Sequence, residues 1–334
     1  MKALILIGGE GTRLRPLTLN TLKCMVPIVN RHFFEYQLAL LKKYSIREVV
    51  LSICYLPDRI QKEIGSGKKY GMKIHYAKET TPLGTAGAIK NAEKYLDSTT
   101  IILNGDILTD IDLGKLTAYH RKKKALATIA LHQVEDPSAY GLVITDKQSR
   151  IKRFLEKPKP SEITTDWINA GIYVFDKKVL EMIPAGMNVS VERETFPKAI
   201  KETAGLFAYK AKSYWLDIGK INKYKQANFD VLEGRFKSPF KGALKNNNVL
   251  VGRSTVFEGG SELTGPLVIG AKCRIGDGAR ISHSILWDNT SIGNGVTIHD
   301  SIISSGCVIE DNCTLSGAVI GGGTRVTRHS RLGA

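Results

Sequence analysis

The chain has 334 residues, 43% of them hydrophobic, which is enough for one large domain with its own core and a second, smaller one. No uncharged apolar run approaches the roughly 20 residues that cross a bilayer, and Met1 to Gly9 is too short for a signal peptide, so membrane and secreted classes are excluded and a cytoplasmic protein is expected. Lys and Arg exceed Asp and Glu by 48 to 32, a formal charge of +16 that points to anionic partners.

Nucleic acid is not the expected partner. The basic residues are spread along the chain, and the compact run His120-Arg121-Lys122-Lys123-Lys124 has no interleaved aromatics on which bases could stack. The five cysteines (24, 54, 273, 307 and 313) form no C-x-x-C pair and lie at no zinc-ligand spacing from histidine, so they read as reduced, packed thiols.

In chain order, Ala3 to Ile7, Glu48 to Ile53, Ile74 to Ala77, Ile101 to Leu103, Ala127 to Leu131 and Ile172 to Phe175 read as strands. Phe34, Leu38 and Leu41 recur at helical spacing, and a second helical stretch runs from Ala86 to Leu96. This alternation predicts an α/β fold with a mixed, mainly parallel sheet covered by helices, whose ligands collect at the carboxyl ends of the strands. The pattern breaks near Glu233 to Gly242, and Asn246-Asn247-Asn248 follows; a linker is placed at 236–248, between a domain at 1–235 and another at 249–334. Beyond it, aliphatic residues recur every five or six positions: 269, 275, 281, 286, 292, 298, 303, 309, 315, 320 and 326. Small or short side chains follow many of them by four positions, at Cys273, Ala279, Thr290, Val296, Cys307, Cys313 and Thr324. Such hexapeptide periodicity predicts a left-handed parallel β-helix. Its open ends, where a coil lacks a neighbour, favour assembly into a homo-oligomer; roughly eighty residues leave little room for an acyltransferase site, despite His283 and His299.

The connection after the first strand, Gly8-Gly9-Glu10-Gly11-Thr12-Arg13, fits neither common phosphate-loop template. No Gly-Lys-[Ser/Thr] follows in the Walker frame, and Leu14 stands where a dinucleotide loop needs its third glycine. What remains is bare backbone that can approach a polyphosphate, with Arg13 and Lys23 adding fixed charge.

The stretch GGEGTRLRPLT…LKCMVPI resembles the signature of the nucleotide-sugar pyrophosphorylases, which join a sugar 1-phosphate to a nucleoside triphosphate; Leu22 and Cys24 stand where that family flanks the lysine with prolines. The resemblance implies nucleotide contacts at Gly8, Gly9, Gly11 and Thr12, with Arg13 and Lys23 as the catalytic cations. PLGTAGAI resembles the base-and-ribose segment, which adds Pro82, Gly84, Thr85 and Gly87, the glycines letting the nucleotide lie against backbone. LNGDILTD carries Asp106, by resemblance a metal ligand beside the sugar phosphate. AYGLV, FLEKP and NAGIYVF resemble the sugar-phosphate site at Gly141, Glu156, Lys157 and Asn169, and YWLDIG supplies Asp217 as the second metal carboxylate. Glu192, in VERETFP, is a further candidate, set aside because the same segment also reads as a helix start with solvated charges.

The implied activity is formation of an NDP-sugar and pyrophosphate with Mg2+. The substrates carry several negative charges whose approach costs about 1 kcal/mol per unit-charge pair in water and more in a cleft, so cations are needed in advance. Within the family the letters look most like the branch that uses GTP and mannose 1-phosphate. A glucose-1-phosphate transferase using UTP, dTTP or ATP, and a catalytically silent regulatory subunit, are the alternatives.

Overall fold

In the computed structural model, which describes residues 1–240 and 248–333, each apolar run read as a strand forms one. The nine-stranded sheet consists of β1 (Lys2–Leu6), β2 (Glu48–Ile53), β3 (Lys73–Lys78), β4 (Thr100–Asn104), β5 (Ala127–Gln133), β6 (Gly141–Thr145), β7 (Ile151–Glu156), β8 (Trp167–Phe175) and β9 (Leu206–Lys210). Its order is β7-β6-β8-β4-β1-β2-β3, with β5 between β8 and β9. The strands β4, β1, β2 and β3 run parallel, as do β5 and β9, whereas β8 runs antiparallel to its neighbours. The helices are α1 (Phe33–Lys43), α2 (Pro57–Ile64), α3 (Gly84–Asn91), α4 (Leu113–Lys123), α5 (Phe196–Glu202) and α6 (Ile221–Leu232). The stretch from Ala86 to Leu96 breaks after α3 into a short 3-10 turn at Glu93–Tyr95, a common way for a helix to tighten at its end.

The chain condenses into two units. Residues 1–9 and 37–215 form a sheet unit; residues 10–36 and 216–334 form a β-helix unit. The sheet unit buries a core that includes Leu4, Val50, Ile89, Ile102, Tyr173, Phe175 and Phe196.

In the second unit, three parallel five-stranded sheets wind through the repeat. Ile281 lies against Ile298, and Ile298 against Leu315, one coil apart. Every aliphatic residue of the predicted repeat is buried, and stacking them removes about 1.5–3 kcal/mol worth of apolar surface per side chain from water. Cys273, Cys307 and Cys313 are buried inside the coils and their thiols donate to the carbonyls of Trp287, Gly321 and Thr327, as packed cysteines should. Thr324 differs: it is exposed, with its hydroxyl donated to Gly321 O. Part of the segment read as a linker, residues 241–247, lies outside the described residues.

Candidate active site

The first strand delivers Gly8 to a tight place: a Cβ there would lie 3.5 Å from the Glu79 carboxylate and 3.4 Å from Cys54. Gly9 faces open space. Glu79 was not singled out by sequence, yet it is buried; it accepts from the Ser52 hydroxyl at 3.0 Å and from the Leu83 amide at 3.1 Å, fixing the Pro82-Leu83 approach to α3.

At the end of β4, the chain folds over the end of β1. Gly105 donates to Leu6 O at 2.9 Å, and a Cβ on it would sit 2.4 Å from that oxygen, so only glycine permits the crossing that presents Asp106. Gln37 clamps the turn from α1, its amide donating to Asn104 O at 2.9 Å and to Ile107 O at 3.4 Å. A glutamine inside the apolar stripe of Phe34, Leu38 and Leu41 was the available signal for it. Beside the turn, β8 is interrupted between Asn169 and Tyr173, where its pairing with β5 shifts. Gly171 takes φ +68° there, and a Cβ would meet the Asn104 side chain at 2.6 Å. A bulge of this kind re-aims side chains next to a site, and here it places Asn169, whose amide donates to the Tyr173 hydroxyl at 2.8 Å.

The sugar-phosphate candidates gather at paired strand ends. Gly141 opens β6 opposite Glu156, the last residue of β7, and the missing side chain of the glycine leaves the space 2.8 Å from Glu156 Oε2. Burial first, and then the negative charge of Glu192, push the Glu156 carboxyl above the usual carboxylate range, against the pull of Lys157 and Arg193. Lys157 is exposed and takes φ +50°, a left-handed conformation that costs a non-glycine residue energy and is found preferentially where function holds it.

Glu192 is half-buried and held by hydrogen bonds rather than left to solvent, although its segment does lead into a helix. It lies in a π-turn, Val191–Thr195, leading into α5. Its Oε2 accepts from the Thr85 hydroxyl at 2.8 Å and the Ser190 hydroxyl at 2.9 Å, and its Oε1 accepts from the Tyr173 hydroxyl at 3.2 Å. Thr85 in turn accepts the Val191 amide at 2.8 Å. One carboxylate thus ties the PLGTAGAI segment to β8. The two glycines of that segment also have a packing role. The side that a Cβ would take on Gly84 faces Val189 O at 2.6 Å, and on Gly87 it faces Met187 O at 2.3 Å, so on that side these glycines admit the chain's own stretch 187–189. Only a non-local contact made these features visible.

A first expected result follows. Glu192→Gln keeps the shape but removes one acceptor from three hydroxyl donors, which should lower unfolding free energy by about 1–2 kcal/mol. It also removes the like charge facing Glu156, so the Glu156 carboxyl ionises at lower pH. The acidic limb of kcat/KM against pH should therefore move to lower pH, and an unmoved limb would refute the electrostatic link.

In the β-helix unit, Gly11 at φ +74° starts a short turn, Thr12–Leu14, and the Thr18 hydroxyl donates to its carbonyl at 2.8 Å. A Cβ on Gly11 would touch the Lys23 stem at 3.0 Å, so the glycine lets the two cation-bearing stretches close on each other. Lys23 opens a second turn, Lys23–Met25, and its neighbours Leu22 and Cys24 are buried, so packing fixes the segment where prolines would otherwise stiffen it. Thr12 and Arg13 are exposed. Asp217 accepts the Gly219 amide at 2.7 Å, and a Cβ on Gly219 would lie 2.8 Å from Asp217 Oδ1 and 2.9 Å from Arg13 Nη2. The structure therefore brings Arg13, Lys23 and Asp217 around two glycines.

Among the described residues no group of three or more His, Cys, Asp or Glu forms a closed metal cage. Asp106 and Asp217 are single hard carboxylates, a donor chemistry that suits an oxygen-preferring divalent ion sharing its coordination with substrate phosphates and water.

The chain belongs to the nucleotidyl transferase family, which it matches over residues 2–234, and residues 240–332 match the LbH domain of EIF2B subunit epsilon. It is 37% identical to the mannose-1-phosphate guanylyltransferase of Mycobacterium tuberculosis over 87% of this chain and 80% of that one. It is 32% identical to the UTP–glucose-1-phosphate uridylyltransferase of a Synechocystis strain, over 88% of this chain and 85% of that one. Among solved structures, HddC from Yersinia pseudotuberculosis superposes with a TM-score of 0.60 at 31% identity, covering 68% of this chain and 97% of HddC, and that protein has also been solved with GMP-PN. Enzymes of this family generally work with a divalent metal ion.

Proposed function

We propose that this nucleotidyltransferase forms GDP-mannose and pyrophosphate from GTP and mannose 1-phosphate. The observation that carries the reading is the similarity to mannose-1-phosphate guanylyltransferases, which for the mycobacterial enzyme extends over 87% of the chain and so includes both the catalytic and repeat regions. The site residues support the chemistry. An oxygen of the sugar phosphate attacks the α-phosphorus in line, the bond to the bridging oxygen of pyrophosphate breaks, and the electron pair leaves with pyrophosphate. Little covalent work is asked of the protein, so positioning and charge neutralisation carry the rate.

In this reading Arg13 and Lys23 take the triphosphate charge, with the bare backbone of Gly8, Gly9 and Gly11 and the Thr12 hydroxyl lining its path. Pro82 and Leu83, held by Glu79, face the nucleoside. Gly141 and Asn169 shape the sugar pocket, Glu156 accepts from sugar hydroxyls and Lys157 holds the sugar phosphate. Asp106 and Asp217 would hold Mg2+, which when bound supplies charge neutralisation at the phosphates. A raised Glu156 carboxyl binds hydroxyls best once ionised, so sugar affinity should rise with pH through its titration.

A glucose-1-phosphate reading has one specific support, the Synechocystis uridylyltransferase at 32% identity. Pyrophosphate release with four triphosphates against mannose and glucose 1-phosphate decides between them. The fastest turnover is expected with GTP and mannose 1-phosphate. A preference for UTP and glucose 1-phosphate overturns the substrate assignment, and no turnover with any pair favours a regulatory subunit.

A further inference from the structure

The segment 10–36 carries Arg13 and Lys23, yet it contributes no strand to the large sheet. Its own regular structure amounts to two three-residue turns, a two-residue hairpin, Pro27–Ile28 with Arg31–His32, and only after these the first turn of α1 from Phe33. So short a set of local bonds does not fix a segment of this length; tertiary partners must. Those partners are in the β-helix unit, where the segment belongs.

The contacts are specific. Asn30, at the hairpin turn, donates its amide to Ile269 O at 2.7 Å. Val29 donates to the fully buried Asn228 on α6 at 2.8 Å. Tyr224 of α6 donates to Pro27 O at 2.5 Å, and its hydroxyl oxygen accepts the indole N–H of Trp287 at 2.9 Å. Nearer Arg13, a Cβ on Gly321 would meet Pro16 at 3.2 Å. Coil register places Gly270, Trp287, Ser304 and Gly321 in one stack, because each follows the paired strand residues 269, 286, 303 and 320. Small residues fill that corner at Gly270, Ser304 and Gly321; between them a buried tryptophan reaches out and spends its only donor on the tyrosine that holds Pro27.

We propose that the β-helix is a positioning scaffold for the catalytic cations: through Trp287, Tyr224 and Asn30 it sets the place of residues 10–36, and so of Arg13 and Lys23. The inference rests on the phosphate-binding roles proposed for those two residues. Errors of about 1 Å in the placement of a charged group cost orders of magnitude in transfer reactions, so a scaffold at this place controls triphosphate binding rather than sugar binding. By reciprocity, whatever displaces this corner of the β-helix changes nucleotide affinity, and bound nucleotide stiffens the corner.

The test uses the full chain, with GTP and mannose 1-phosphate varied separately. Trp287→Phe and Asn30→Ala should each raise KM for GTP by about fivefold to tenfold, as expected for one lost hydrogen bond, and leave KM for mannose 1-phosphate within about twofold. The Trp287→Phe, Tyr224→Phe double variant should be no worse than Tyr224→Phe alone, since both changes cut one relay. Asn30 is only half-buried and its side chain donates to Ile269 O, so its variant remains informative if an aromatic change unfolds the protein. A lowered urea midpoint with unchanged KM for GTP, or an equal rise in both KM values, overturns the proposal. Wild-type protein inactive with every substrate pair defeats the functional reading instead; GTP affinity by calorimetry then gives the same comparison among variants. If the wild type prefers UTP and glucose 1-phosphate, the comparison is made on that pair.

Discussion

Asp106→Asn is expected to lower kcat by about a thousandfold, equivalent to about 4 kcal/mol of transition-state stabilisation, while circular dichroism and Tm stay at wild-type values. The substitution keeps the side-chain outline and leaves the Gly105 crossing, with its bond to Leu6 O, untouched. What it removes is a negative charge at the end of β4. A carboxylate that merely capped a turn would be replaced by asparagine at little cost, since asparagine caps as well. Activity within tenfold of wild type, with the same dependence on Mg2+ concentration, would refute the metal assignment.

Gly87→Ala is expected to destabilise the protein by about 3–5 kcal/mol, read as a fall in the urea midpoint. The new methyl group would lie 2.3 Å from Met187 O and 2.9 Å from the Leu83 Cβ, and neither neighbour is the loose end of a flexible chain. Relief requires the 187–189 stretch to move away, which breaks the bonds from Ala86 to Val189 O at 2.9 Å and from Val189 to Leu83 O at 2.9 Å. Displacing that stretch also disturbs Glu192 and its hold on Thr85. Gly9→Ala is the contrast: no described atom lies within 4 Å of the Cβ position, so stability should change by about 0.5 kcal/mol at most. A rise in KM for GTP in that variant would then be due to the ligand's need for bare backbone. A tolerated Gly87→Ala would show that the close approach of 187–189 is not needed for folding.

The two substitutions separate two reasons for a glycine that look alike in a sequence. Gly9 and Gly87 both sit in stretches that resemble nucleotide-binding motifs, and from the letters alone both read as room for a ligand. At Gly87 the room is taken by the protein's own backbone. Glu192 was set aside for a related reason: a glutamate in VERETFP looks like any charged helix start, and its three hydroxyl donors come from residues 85, 173 and 190, two of them outside its own segment. Gln37 and Glu79 escaped notice because their work is done on the backbone of distant turns.

Sequence by itself determined six of the nine strands of the sheet, the buried face of the first helix and the coils of the β-helix, and missed the strands at Gly141–Thr145, Ile151–Glu156 and Leu206–Lys210. The elements it determined follow from periodicity, which is local: side-chain direction repeats every two residues in a strand and about every 3.6 in a helix, and a coil must return its aliphatic residue to the same corner. The family resemblance likewise needed only short ordered motifs. Tertiary structure decided which segments keep company. It joined residues 10–36 to residues 216–334, set β8 antiparallel with a bulge at Gly171, and placed Glu192 between Thr85 and Tyr173. Hydrogen-bond partners and close backbone approaches depend on where distant parts of the chain are brought together, and no local pattern of residues encodes that separation.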